Sequence, residues 1–100
     1  MNESEKFIEE FYYEIYIWMT SKEPFGLGLK GLELLIYAII FKYTCDGFKY
    51  FDVAGKSKIF AELSGSTARV WRKALNNLIE RGYISKIESA EGCLIQISKR

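Results

Sequence analysis

The apolar positions of this chain change period along its length, and each change marks an element. Over residues 30–44, Leu32, Leu35, Ile36, Ile39, Ile40 and Tyr43 recur at the 3.6-residue spacing of a helix face. Leu34, Tyr37, Ala38 and Phe41 fill the remaining sides, so this helix is apolar nearly all round. Such a helix is central to its fold or also meets a partner. Asp46-Gly47 predicts a turn, and residues 49–53 a short strand. Residues 55–63 predict a short helix with Ile59, Phe60 and Leu63 inward. Ser64-Gly65-Ser66 interrupts it. A second helix then runs from Thr67 to about Arg81, with Trp71, Ala74, Leu75 and Leu78 on its packed side. Ser66 or Thr67 can cap that helix by accepting a bond from a free N–H, and Gly82 stops it.

Beyond Gly82 the period falls to two. Residues 83–88 read as a strand with Tyr83, Ile84 and Ile87 apolar, Ser89-Ala90-Glu91-Gly92 as a turn, and residues 93–98 as a strand. The second strand alternates, with Cys93, Ile95 and Ile97 on one face. Helix, helix–turn–helix and hairpin, in that order, predict an α+β winged helix-turn-helix with a C-terminal β-hairpin wing. The N-terminal end is less uniform. Phe7, Phe11, Ile15 and Trp18 keep helical spacing, yet residues 12–18 are dense in aromatic and β-branched types that favour a strand. The expectation is a helical start passing into an extended segment. The loop SKEPFGLGLKG, which holds the sole proline, Pro24, divides an aromatic N-terminal arm (1–23) from a winged-helix domain (24–100).

Composition narrows the chemistry. Half the residues are apolar (49%), enough for a bulky core, but no stretch reaches the ~18 apolar residues of a membrane helix. The acidic start (Glu3, Glu5, Glu9, Glu10) lacks the basic-then-apolar pattern of a secretory leader. Cys45 and Cys93 read as reduced thiols of a cytoplasmic protein. Histidine is absent, which removes serine–histidine and cysteine–histidine catalysis and the usual structural zinc sets. Glu9 and Glu10 are adjacent and do not share a helix face. Gly26, Gly28 and Gly31 lack the lysine–hydroxyl pair or the preceding strand of a phosphate-cradling loop. No catalytic role and no cofactor or metal is expected.

Net charge is only +1, but it is unevenly spread. Residues 1–55 hold five Lys and Arg against nine Asp and Glu, and residues 56–100 hold nine against four. On the helix from Thr67, Arg69, Arg72, Lys73 and Asn76 fall within a sector of about 100°, opposite the apolar side. Guanidinium groups match phosphates and guanine edges, and asparagine matches adenine. Many solvated helix faces also carry Lys and Arg. Here, however, no carboxylate occurs from Ser64 to Asn77, where a merely solvated face mixes signs. The small residues Ala61 and Gly65 suggest close helix–helix packing across the short turn. Ser66 and Thr67 at the helix start, and Lys56 before the preceding helix, complete the candidate DNA-binding set. Lys58 is a weaker candidate. The hairpin tip carries Glu88 and Glu91, so its insertion into a groove is not expected. Trp18 and Trp71 read as core.

The segments LGLKGLELLIYAIIF, DG and FDVAGKSKIFAELSGSTARVWRKALNNLIERGYISK carry a resemblance. They resemble the winged-helix N-terminal domains of phage-type replication initiators and replisome organisers, over roughly residues 14–88. The shared features are Leu29-Lys30-Gly31 before a tyrosine-containing apolar helix, and an ending formed by Leu75, Leu78, Gly82 and Ile84. EIYIWMTSK resembles the short extended piece that precedes the Leu-Lys-Gly element. The resemblance implies that the helix from Thr67 reads double-stranded DNA, with Arg69, Arg72 and Lys73 in contact positions. Replication initiation or transcriptional regulation in a phage or mobile element is the implied role. Homodimerisation through the arm and central helix is a further expectation. A protein-interaction or dimerisation module without DNA binding is the alternative.

Overall fold

The computed structural model describes residues 13–23, 25–44, 51–53, 57–89 and 92–98. Among these, four helices and three strands form an α+β fold. The expected features at residues 7–12, Pro24, Cys45, Asp46-Gly47, Lys56, Ala90, Glu91, Lys99 and Arg100 lie outside the described residues. So do the side chains of Glu88 and Cys93.

The first helix, α1 (Tyr13–Thr20), corrects the expectation of an extended segment. Strand propensity chiefly measures fit to a half-buried pleated surface, and packing overrides it. Ile15 and Met19, one helical turn apart, face the core, and Met19 is fully buried. Trp18 differs from the expected core residue. It keeps 36% of its surface exposed while lying edge-on to Tyr37 at 6.1 Å.

A helix end leaves carbonyls without partners, and the chain after α1 supplies them. The Thr20 and Ser21 hydroxyls donate to Tyr16 O (2.9 Å) and Ile17 O (2.5 Å). The returning loop donates Leu27 N–H to Trp18 O and Leu29 N–H to Met19 O, both at 2.9 Å. Leu27 and Leu29 bury their side chains in the core. Gly26 sits where a Cβ would strike Trp18 O, and would lie 2.7 Å from Ser21 O.

The second helix, α2 (Gly31–Tyr43), matches its predicted range and is buried without a break from Leu34 to Ile40. The short strand β1 (Phe51–Asp52) follows, then α3 (Ser57–Ser64) and α4 (Ala68–Glu80). Both later helices contact α2. Phe60 is fully buried, with Ile59 and Leu63 packed beside it. Gly82, at φ 83°, ends α4 as the sequence indicated.

Strands β2 (Ile84–Ser89) and β3 (Gly92–Ile97) form an antiparallel hairpin, and β1 pairs on the other side of β3. Ser89 pairs with Gly92, so each strand runs one residue further into the expected turn. Ile84 pairs with Ile97, and Lys86 with Ile95. The period of two therefore puts Ile84 and Lys86 on the core-facing side and Ile87 on the outer side. Ile87 is accordingly exposed. Tyr83, just before the strand, is buried and donates its hydroxyl to Leu27 O at 2.9 Å. No helix among the described residues is long and apolar enough to cross a membrane.

Two glycines should respond differently to alanine. Gly26→Ala forces backbone apart and should cost at least about 2 kcal/mol in urea unfolding. Gly65 has φ 65° and open space around it. Gly65→Ala should cost only the left-handed backbone penalty, about 1 kcal/mol. Equal costs would contradict the close approach at Gly26.

Candidate nucleic-acid interface

Helix α4 is divided by its side chains into two unlike halves. Trp71, Ala74, Leu75 and Leu78 are buried. The Trp71 ring stacks on Phe60, with centroids 4.7 Å apart and planes 24° apart. This stack joins α3 to α4. Ala61 and Gly65, expected at that contact, are instead exposed. Trp71 Nε1 is buried and finds no acceptor among the described residues.

The turn between the helices is three residues long, Gly65 to Thr67. Its organiser is Ser64. The Ser64 hydroxyl donates to Phe60 O (2.5 Å), accepts from Ser66 N–H (3.2 Å) and lies 2.8 Å from the Ser66 hydroxyl. Thr67 stands at the N-cap with extended backbone, yet its side chain makes no capping bond. The capping role expected of Ser66 or Thr67 is therefore not taken by either side chain. The Ser66 hydroxyl is engaged with Ser64, and Thr67 contributes its carbonyl, which accepts from Val70 and Trp71 N–H.

Opposite the buried side, Arg69, Arg72, Lys73 and Asn76 are all exposed, as is Thr67 beside them. Among the described residues, Arg69, Arg72 and Lys73 form no ion pair. The Arg72 guanidinium lies 5.1 Å from the Trp71 ring centre, a cation–π contact that restrains it. Ser66 is half-buried in the turn. On α3, exposed Lys58 approaches Glu62 at 3.9 Å, so part of its charge is answered locally.

Two basic residues behave in ways that spacing along the helix does not reveal. Arg81, the last residue of the expected reading helix, turns toward the fold. It meets Glu23 at 3.3 Å and Glu33 at 3.5 Å, and lies 4.8 Å from the Tyr83 ring centre. Lys86, which did not enter the candidate set, borders the same cleft as Arg72 and Asn76. The sequence signal for Lys86 was available: counting by two from Ile84 brings it to the inner face.

No protein-family model, characterised protein or solved structure matches this chain.

The turn chemistry separates two serine and threonine roles. Thr67→Ala should lower stability by less than about 0.5 kcal/mol, below the ~1 kcal/mol of a working N-cap. Ser64→Ala should cost about 1 kcal/mol or more, because three interactions centre on its hydroxyl. Chemical denaturation of both variants measures this, and the reverse order would restore the capping role to Thr67.

Proposed function

We propose that this chain is a winged helix-turn-helix domain that binds double-stranded DNA without catalysing a reaction, using α4 as its reading helix. The observation that carries this reading is the exposed face of Arg69, Arg72, Lys73 and Asn76, opposite the buried Trp71, Ala74, Leu75 and Leu78. Because the core occupies the other side, that face can enter a groove without disturbing the fold. The order of elements, the three-residue turn and the hairpin after α4 support the winged-helix reading. The uncapped start of α4 adds backbone N–H groups suited to a phosphate. The resemblance to phage-type replication initiators favours a cytoplasmic role in replication initiation or transcriptional regulation of a phage or mobile element.

A second reading rests on a different observation. Tyr16, Ile17 and Trp18 on α1, Phe25 in the following loop and Tyr43 at the end of α2 are exposed. Such residues suit a protein-interaction surface, including a homodimer formed through the arm and central helix. Light scattering at high concentration tests the dimer, and a clean monomer would sink it.

Duplex DNA titrated at two salt concentrations separates the two readings. Phosphate contact predicts binding that weakens steeply as salt rises. Replacing Arg69, Arg72 and Lys73 together by Ala should remove about 2–3 from the log–log salt slope. Binding should fall below detection while the unfolding midpoint stays within experimental error. Wild-type protein that ignores duplex DNA at low salt leaves only the interaction-module reading.

A further inference from the structure

Val70 is the third residue of α4, and it keeps 47% of its surface exposed. Among the described residues, it belongs neither to the buried cluster nor to the apolar side chains packed against that cluster. The other exposed large apolar side chains lie on α1, in the loop after it, at the end of α2 and on β2. Val70 is set beside cations instead. It follows Arg69 directly and lies about 60° around the helix from Lys73. Both of these neighbours are exposed, and among the described residues neither forms an ion pair.

Helix stability does not account for this valine. A β-branched side chain loses χ1 freedom in a helix, so Ala, Lys or Arg is favoured at an exposed position. A protein-docking surface does not account for it either, since that takes a contiguous apolar patch on the order of a few hundred Å². Elsewhere on the surface a single exposed valine would carry no meaning. In the first turn of a helix that reads DNA it has a specific partner. Along the major groove, adenine, guanine and cytosine present hydrogen-bond donors and acceptors, whereas thymine also presents its C5-methyl group. That methyl is the apolar feature a valine can cover. The contact surface is prepared in advance. Val70 N–H donates to Thr67 O at 3.0 Å, which fixes the first turn. The β-branch then holds both γ-methyls in one preferred rotamer. Arg69 and Lys73 stand beside it for the phosphates.

We propose that Val70 is a specificity-determining residue that selects thymine in the major groove by packing its γ-methyls on the C5-methyl group. This rests on α4 being the reading helix, and it names one base of the target site. Covering one methyl group with apolar surface changes affinity about fourfold.

The test starts with the full chain selecting, at low salt, from a library of DNA duplexes with a randomised centre. The enriched duplex is then remade with deoxyuridine in place of each thymine in turn, which removes the C5-methyl group and keeps the base pair. At one position at least, this should weaken binding about fourfold. Val70→Ala should cut that penalty to below about twofold. It should leave the salt dependence of binding unchanged and the thermal midpoint no lower than that of the wild type. Val70→Ser makes the same comparison should Val70→Ala fold poorly. Three results overturn the thymine contact and leave α4 as a DNA-binding helix: no thymine position responds to loss of its methyl, the response is undiminished in the folded variant, or wild-type protein binds all duplexes alike and enriches no sequence. Wild-type protein that ignores every duplex at low salt removes the DNA reading and the thymine contact together.

Discussion

The fold depends on the burial of α2 over seven consecutive residues, Leu34 to Ile40. Seven residues turn almost twice around a helix, so no side of α2 is left for water. Its backbone satisfies itself, but its side chains need cover from every direction. α3, α4 and β3 contact it directly, and Met19, Leu27 and Leu29 join the same buried cluster. Each covering element turns one side inward and keeps the other for solvent. The polar chemistry is thereby driven to the outer faces, and the division of α4 into Trp71, Ala74, Leu75 and Leu78 against Arg69, Arg72, Lys73 and Asn76 follows from this.

The two ends of α4 are held by different means. At the start, the Phe60–Trp71 stack packs α4 against α3, and the Ser64 hydroxyl sets the turn between them. At the end, Arg81 reaches Glu23 and Glu33, and Tyr83 bonds Leu27 O. The surface ion pairs contribute about 0–1 kcal/mol each. The buried Tyr83 hydroxyl contributes more, since its removal strands a carbonyl. The loop after α1 is thus tied both to α1 and to the far end of α4, although 56 residues separate Leu27 from Tyr83.

Local periodicity made much of this readable. The ranges of α2 and α4, the stop at Gly82 and the hairpin all follow from spacing and from one glycine. The errors came where a partner distant in sequence decides. Residues 13–18 carry strand-forming types, but Met19 and Ile15 are captured by the core as a helical pair. Ala61 and Gly65 looked like packing positions, and the stacked rings of Phe60 and Trp71 took that role. Thr67 looked like a cap, but Ser64 had already organised the turn. The basic face was legible as a face. That Arg81 leaves it for Glu23 and Glu33 was not, because neither carboxylate lies near it in sequence.

This departure of Arg81 has an electrostatic meaning. The chain's net charge of +1 gives little long-range attraction for a polyanion. What counts is charge within a Debye length, about 8 Å at physiological salt. Arg69 and Arg81 are twelve residues apart on or at the end of α4, a rise of about 18 Å. The two ends are therefore nearly independent fields. At the end, Glu23 and Glu33 answer Arg81. At the start, Arg69, Arg72 and Lys73 have no carboxylate among the described residues to answer them. Glu23 and Glu33, both from the acidic first half of the sequence, thus quiet one end of α4. An anion drawn to α4 meets its positive field in the first two turns, where Arg72 also borders the cleft toward Lys86.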